Sequence, residues 1–246
     1  MQCDGAIADP VAETAWVQSV FDKSGHAHAI VGLVDLSSAG AEEAIAAQVI
    51  FPDFRGVRQV LSRLDHDAAL SFAPQHYLHD PAWREGYALL AGHGLSFDLQ
   101  LYPEQMMDAA DFMSEHTDIP VIVDHAGSPY DGSAAGRQLW LDGMARLAEL
   151  PHIAVKLSGF GMFDDEWSRE SVQPLVSHLL TCFGSERLLW GSNFPVDSLM
   201  ATFDYGVRTI DSCLQGLSAD ERQAVFVDNA RRFYRLDDGP SQAMVS

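Results

Sequence analysis

Six short apolar runs recur along this chain, spaced about 30 residues apart on average, and that rhythm constrains the fold more than any other feature. The runs are 29–34 (AIVGLV), 56–61 (GVRQVL), 95–101 (LSFDLQL), 120–123 (PVIV), 153–157 (IAVKL) and 188–190 (LLW). Continuous apolarity over so few residues implies strands buried on both faces, as in a parallel sheet. The segments between them carry a helical period. Met106, Ala109, Ala110 and Met113 share one face, as do Trp140, Met144, Leu147 and Ala148, and Val172, Leu175, Val176, Leu179 and Phe183 form a third stripe. Asp9 before Pro10 suits a helix start, and Ser218 with Glu221 makes a capping box. The last helix is expected to bury Phe226, Ala230 and Phe233.

Strands alternating with helices predict an α/β fold, a TIM (β/α)8-type barrel. Such a barrel has eight strands. Six are clear, and Met1–Cys3 reads as the end of a seventh, so the barrel is expected to lack its first strand, whose place is ahead of Met1. The 246 residues suit one domain over 1–236, and the polar tail 237–246, with Gly239 and Pro240, is expected to be disordered.

Charge narrows the partners. Fifteen basic residues against 35 acidic ones give a formal net charge of −20. Such a surface repels phosphate backbones and anionic lipid, which excludes nucleic acid and membrane as partners and leaves a small-molecule substrate. Self-association into a homo-oligomer stays open. The same field hinders an anionic substrate unless basic side chains gather inside a cleft. Cys3, Cys182 and Cys213 form neither a CxxC pair nor a disulfide framework, which fits a reducing cytoplasm. Neither a membrane-spanning run nor a signal peptide is visible.

Barrel chemistry sits at the C-terminal ends of the strands. The polar residues following the apolar runs are Asp35, Arg58, Asp98, Asp124 with His125, Lys156 with Ser158, and Ser192 with Asn193. His125, in DHAGSP where a strand meets a glycine turn, reads as functional. Lys156 either pairs with a strand-end Asp or binds an anion, since lysine is rarely buried alone. Arg58 is either a salt-bridge residue or a fork for a substrate carboxylate. Asp98 reads as structural, Asp35 as a turn cap, and Asp124 as a residue orienting nearby backbone. His26 and His28 form H-A-H but precede a strand, so they fall on the opposite face and are rejected as ligands. His76 and His79 lie in the loop after the Arg58 strand and read as solvated.

The pieces PVAETAWV, GLVDL, RGVR, GLSFDLQLYPEQ, VIVDHAGSP, HIAVKLSGFGM, RLLWGSNFPVD and NARRFYRL occur here in an order that resembles the amidohydrolase-related family of TIM-barrel hydrolases, part of the metal-dependent hydrolase superfamily. The family includes sugar lactonases and 2-pyrone-4,6-dicarboxylate lactonases, so the resemblance implies a hydrolase of small cyclic esters. Two departures matter. Relatives begin with a strand ending in two histidines separated by one residue, and Met1-Gln2-Cys3 here matches the end of their second strand. Lactonase relatives also read GSD in the last strand, where this chain has Asn193, a poor base and a weak metal ligand.

On this resemblance His125 polarises the carbonyl, Lys156, Arg58 and Ser158 bind substrate, Asn193 orients water or substrate, and Asp197, four residues on, is the expected base. No metal is assigned to these residues, because His125 alone falls short of the usual three protein ligands; a divalent metal would need the absent strand. The alternatives are a metal-dependent decarboxylase of the same superfamily and a catalytically degenerate barrel that binds a small acid.

Overall fold

All six apolar runs form strands in the computed structural model, which describes residues 9–24 and 29–236. The order is α1 (Pro10–Ser24), β1 (Ile30–Leu33), α2 (Ala41–Val49), β2 (Phe54–Val60), α3 (Pro81–Gly92), β3 (Ser96–Gln100), α4 (Met106–Met113), β4 (Val121–Val123), α5 (Ala134–Ala148), β5 (Ile153–Leu157), α6 (Arg169–Phe183), β6 (Leu188–Trp190), α7 (Phe203–Cys213), α8 (Ala219–Gln223) and α9 (Asn229–Phe233). The strands pair in parallel in the order β1-β2-β3-β4-β5-β6. A parallel pair cannot be joined by a tight turn, so each connection crosses over, and each of the five carries a helix on the outer face.

The sheet curls. Val31 of β1, Ile122 of β4, Ala154 of β5 and Leu189 of β6 belong to one buried cluster with Tyr234, which brings the two ends of the sheet around a common interior. A larger core lies between the outer face of the sheet and the helices. There Trp83 and Tyr87 of α3 pack edge-on against Phe97 of β3, with centroids 5.8 and 5.2 Å away. Gly86 lets α3 also lie close against the segment after β1, because a Cβ there would stand 2.0 Å from the Leu36 carbonyl oxygen. Asp9 accepts from the Val11 and Ala12 amides at the start of α1. Ser218 and Glu221 close the capping box of α8. Each cap offers partners to amides that the first helical turn leaves unbonded.

The last helix departs from expectation. Residues 224–228 form a π-turn between α8 and α9, and the wider turn rotates the buried stripe. Val225, Asn229 and Tyr234 are the buried residues, while Phe226, Ala230 and Phe233 are half-buried at the flank. Asn229 donates from Nδ2 to the Ser185 and Leu188 carbonyls, pinning the helix to β6. The expectations on Met1–Cys3, His26, His28 and the tail 237–246 lie outside the described residues. Among the described residues, no helix is long and apolar enough to cross a membrane.

Candidate active site

Alternation along β3 turns Asp98 and Gln100 to the barrel interior, and the same logic turns Arg58 on β2, Asp124 after β4 and Lys156 on β5 inward. Their charges meet. The Lys156 ammonium lies 2.5 Å from Asp98 Oδ2 and 2.9 Å from Asp124 Oδ1, and Arg58 Nε is 3.4 Å from Asp124 Oδ2. Arg58 also donates from Nη2 to Gln100 Oε1. Tyr234 reaches in from the end of α9 to donate its hydroxyl to Asp98 Oδ2 at 2.8 Å, with its ring centroid 5.4 Å from Lys156 Nζ.

Both carboxylate side chains are wholly buried, while the Lys156 side chain keeps 13% of its surface. Burial opposes ionisation of Asp124, yet Lys156 and Arg58 outweigh it and hold that carboxyl well below the usual range. For Asp98 burial wins, and its carboxyl is pushed up despite the same lysine. Burial also works against the Lys156 charge, but Asp124 and Asp98 together keep the ammonium protonated. Asp124 therefore serves as counter-ion to both cations. Its carboxylate thus has a role beyond the expected one of orienting nearby backbone, and the sheet's curl brings it to Lys156 and Arg58.

His125 occupies an unusual turn. His125, Ala126, Gly127 and Ser128 all have φ between 51 and 70°. Left-handed backbone costs a non-glycine residue about 1–2 kcal/mol. Here the turn is held by bonds from the Gly127 amide to the Asp124 carbonyl and from the Ser128 amide to the His125 carbonyl. The Trp140 indole adds a bond to the Ala126 carbonyl at 2.8 Å. The imidazole shares a hydrogen bond of 3.2 Å between Nδ1 and Ser158 Oγ. Gly159 lies against the ring, since a Cβ there would be 2.6 Å from His125 Nδ1.

Arg58, His125, Lys156, Ser158 and Asn193 all line one cavity of about 390 Å³ at the strand ends, together with Gln100 and Tyr234. Asp197 does not line it. That carboxylate is buried one side chain behind, accepting from Asn193 Nδ2 at 2.8 Å, and burial pushes its carboxyl up. Asn193 itself has φ 51°, a conformation that Asn tolerates better than most residues. Asp35 caps the turn after β1 through the Ser37 amide. His76 and His79 are exposed and paired with Asp65 and Asp108. Gln100 and Tyr234 were missed by reading strand ends alone. The period-two pattern of LSFDLQL places Gln100 on the face of Asp98 and could have found it.

The described residues do not fit a metal. No three His, Cys, Asp or Glu side chains among them stand together as a ligand set. His125 is the sole imidazole among the described residues of the cavity, and both Asp124 oxygens face cationic side chains.

A family model described as amidohydrolase matches residues 4–236. The uncharacterised protein y4mH of Sinorhizobium fredii is 36% identical over 93% of this chain and 76% of its own length. An L-fucono-1,5-lactonase of Burkholderia ambifaria is 31% identical over 92% of this chain and 76% of that protein. The crystal structure of a Burkholderia multivorans amidohydrolase with bound zinc superposes with a TM-score of 0.83 at 26% identity, covering 96% of this chain and 83% of that one.

Proposed function

The chain belongs to the amidohydrolase family, and from that premise we propose that it is a hydrolase of a small lactone. The observation that carries this reading is the convergence of His125, Lys156, Arg58, Ser158 and Asn193 on one cavity at the strand ends. Opening a lactone needs water at the carbonyl carbon, stabilisation of the oxyanion that forms, and a proton for the departing ring oxygen. His125, steered by Ser158 on Nδ1, meets the developing oxyanion through Nε2. Lys156 and Arg58 hold substrate oxygens from the cavity floor. Asn193 orients the attacking water. Asp197, one amide behind it, is the carboxylate we propose as base. It takes the attacking water's proton through a bridging water and returns it by the same route to the departing ring oxygen as the tetrahedral intermediate collapses, and its raised carboxyl suits that task.

Charge narrows the substrate. Lys156 and Arg58 stand opposite Asp98 and Asp124, so among the described residues two cations meet two carboxylates. A balanced interior favours an uncharged, hydroxyl-rich lactone over one bearing carboxylates, and the L-fucono-1,5-lactonases among the relatives support the same choice. Gln100, Asn193 and Ser158 supply the hydrogen bonds such a ring requires. Cys182 and Cys213 are free thiols, and on that ground we place the protein in the reducing cytoplasm.

The test is a panel of sugar 1,5-lactones and dicarboxylate lactones followed by proton release. Hydrolysis is expected for the neutral sugar lactones. The His125→Ala variant should turn over at least about 100-fold more slowly with unchanged melting. Absence of hydrolysis across the panel, or equal rates in variant and parent, overturns the reading.

A further inference from the structure

A second cavity, of about 240 Å³, opens on the same face of the barrel but outside it, between the β4–α5 and β5–α6 connections. It shares no lining residue with the candidate active site. Its walls are aromatic: Tyr130, Trp140, Phe160, Phe163 and Trp167. Trp140, Phe160 and Trp167 are buried, and the last two are stacked at an interplanar angle of 30° with centroids 5.9 Å apart. Aromatic walls of this kind favour a flat ring over the open hydroxylated chain of the sugar acid that the proposed reaction releases.

The polar groups of the lining are committed, with two exceptions: the buried Trp167 indole nitrogen, which has no hydrogen-bond partner among the described residues, and Arg137. Asp131 accepts from the Ser133 amide and hydroxyl, Asp164 from the Glu166 amide, and the Tyr130 hydroxyl donates to Glu104. The Arg137 guanidinium, one turn into α5, has no hydrogen bond or ion pair among the described residues, although the backbone amide of that residue donates to the Ser133 carbonyl. Every other described arginine has a partner, from Arg58 on Asp124 to Arg146 on Asp111 and Glu149. In a chain with 35 acidic residues and 15 basic ones, an arginine left unpaired at the mouth of an aromatic cavity has a charge to offer a ligand.

We propose that this cavity binds a small carboxylic acid built on a ring. The ring packs against the aromatic walls, and the carboxylate takes the planar fork of Arg137. Size agrees, since a dry cavity of about 150 Å³ already accepts benzene, and the extra volume admits a short acid arm.

Calorimetry on the full chain tests this with three probes. Phenylacetate carries ring and charge, phenylacetamide the ring alone, and acetate the charge alone. Phenylacetate should bind one to one, and the other two at least about tenfold more weakly, because each lacks one half of the recognition. Arg137 is exposed on the helix surface, so Arg137→Ala should melt like the parent, yet bind phenylacetate at least about tenfold more weakly, with Arg137→Lys between them. The proposal fails if phenylacetate does not bind by about 10 mM, well beyond the range of a specific site. It fails equally if the amide binds as tightly as the acid. Equal affinity of parent and Arg137→Ala would place the acid elsewhere, the catalytic cavity included, and would also overturn it.

Discussion

Lys156 on β5 holds its ammonium 2.5 Å from the Asp98 carboxylate on β3, across a sequence separation of 58 residues and past the intervening strand β4. The contact crosses the barrel interior, and Asp124 at the end of β4 closes it from the other side at 2.9 Å. One ammonium therefore separates two wholly buried carboxylates.

Removing that ammonium should be costly. Lys156→Met keeps the length of the side chain and leaves Asp98 and Asp124 facing each other without their shared cation. Breaking a buried pair by deleting one partner costs about 3–5 kcal/mol. A urea titration is expected to show a loss of that size, larger at neutral pH than at pH 4, where protonation relieves the repulsion. A variant as stable as the parent at both values would mean that Lys156 is not the cation holding the cluster together.

The two carboxylates should respond to pH with opposite signs. The Asp124 carboxyl is held below its unfolded value, so its contribution is present above about pH 4 and is lost as pH falls through the folded value. The Asp98 carboxyl is raised, so its contribution is full at low pH and is lost as pH rises through the folded value. At neutral pH, Asp124→Asn should therefore cost more than Asp98→Asn. The gap between parent and Asp124→Asn should begin to narrow once pH falls below about 4. Stability curves measured from pH 3 to 8 decide it, and the reverse order would contradict the assignment of counter-ion roles.

Strand ends were legible in the sequence because a barrel fixes where chemistry sits. That rule alone brings out Arg58, His125, Lys156 and Asn193, and all four line the cavity. Pairing was not legible. Lys156 was equally suited to an aspartate or an anion, and only the placing of β3, β4 and β5 side by side in the curled sheet selects Asp98 and Asp124. Tyr234 was hidden for a different reason. The π-turn at 224–228 breaks the 3.6-residue period, so a helical stripe read through it points to Phe226, Ala230 and Phe233 and misses the residue that enters the barrel.

Gly159 should prove a positioning residue. Its φ is 68°, and an added Cβ would press on the His125 ring at 2.6–2.8 Å. Gly159→Ala is expected to destabilise by about 1 kcal/mol or more, since the native φ is incompatible with alanine. It should slow hydrolysis by roughly 100-fold, since a displacement of about 1 Å at a reacting group costs that much. Steady-state kinetics should show the loss mainly in kcat. A fall confined to KM would indicate that His125 is not being moved.

The last test separates packing from hydrogen bonding at Tyr234. Its ring fills the space between Val31, Ile122, Ala154 and Leu189, and its hydroxyl donates to Asp98 Oδ2 at 2.8 Å. Tyr234→Phe preserves the ring and removes the donor, leaving the buried carboxylate one bond short at a cost of about 1–3 kcal/mol. Tyr234→Ala removes the ring as well and opens a cavity, for which about 3–5 kcal/mol is expected. The two losses should also differ in pH dependence. A hydroxyl donating to Asp98 favours the ionised carboxylate, so its removal raises that carboxyl further. The deficit of the Phe variant should therefore grow as pH rises through the range where Asp98 ionises and shrink where the carboxyl is protonated. The additional cost of alanine reflects lost apolar contact and should change little with pH. Urea midpoints for parent, Phe and Ala forms at pH 4, 6 and 8 give both quantities. A Phe variant matching the parent at every pH would show that the hydroxyl contributes nothing to holding Asp98, and that Tyr234 serves the barrel by its ring alone.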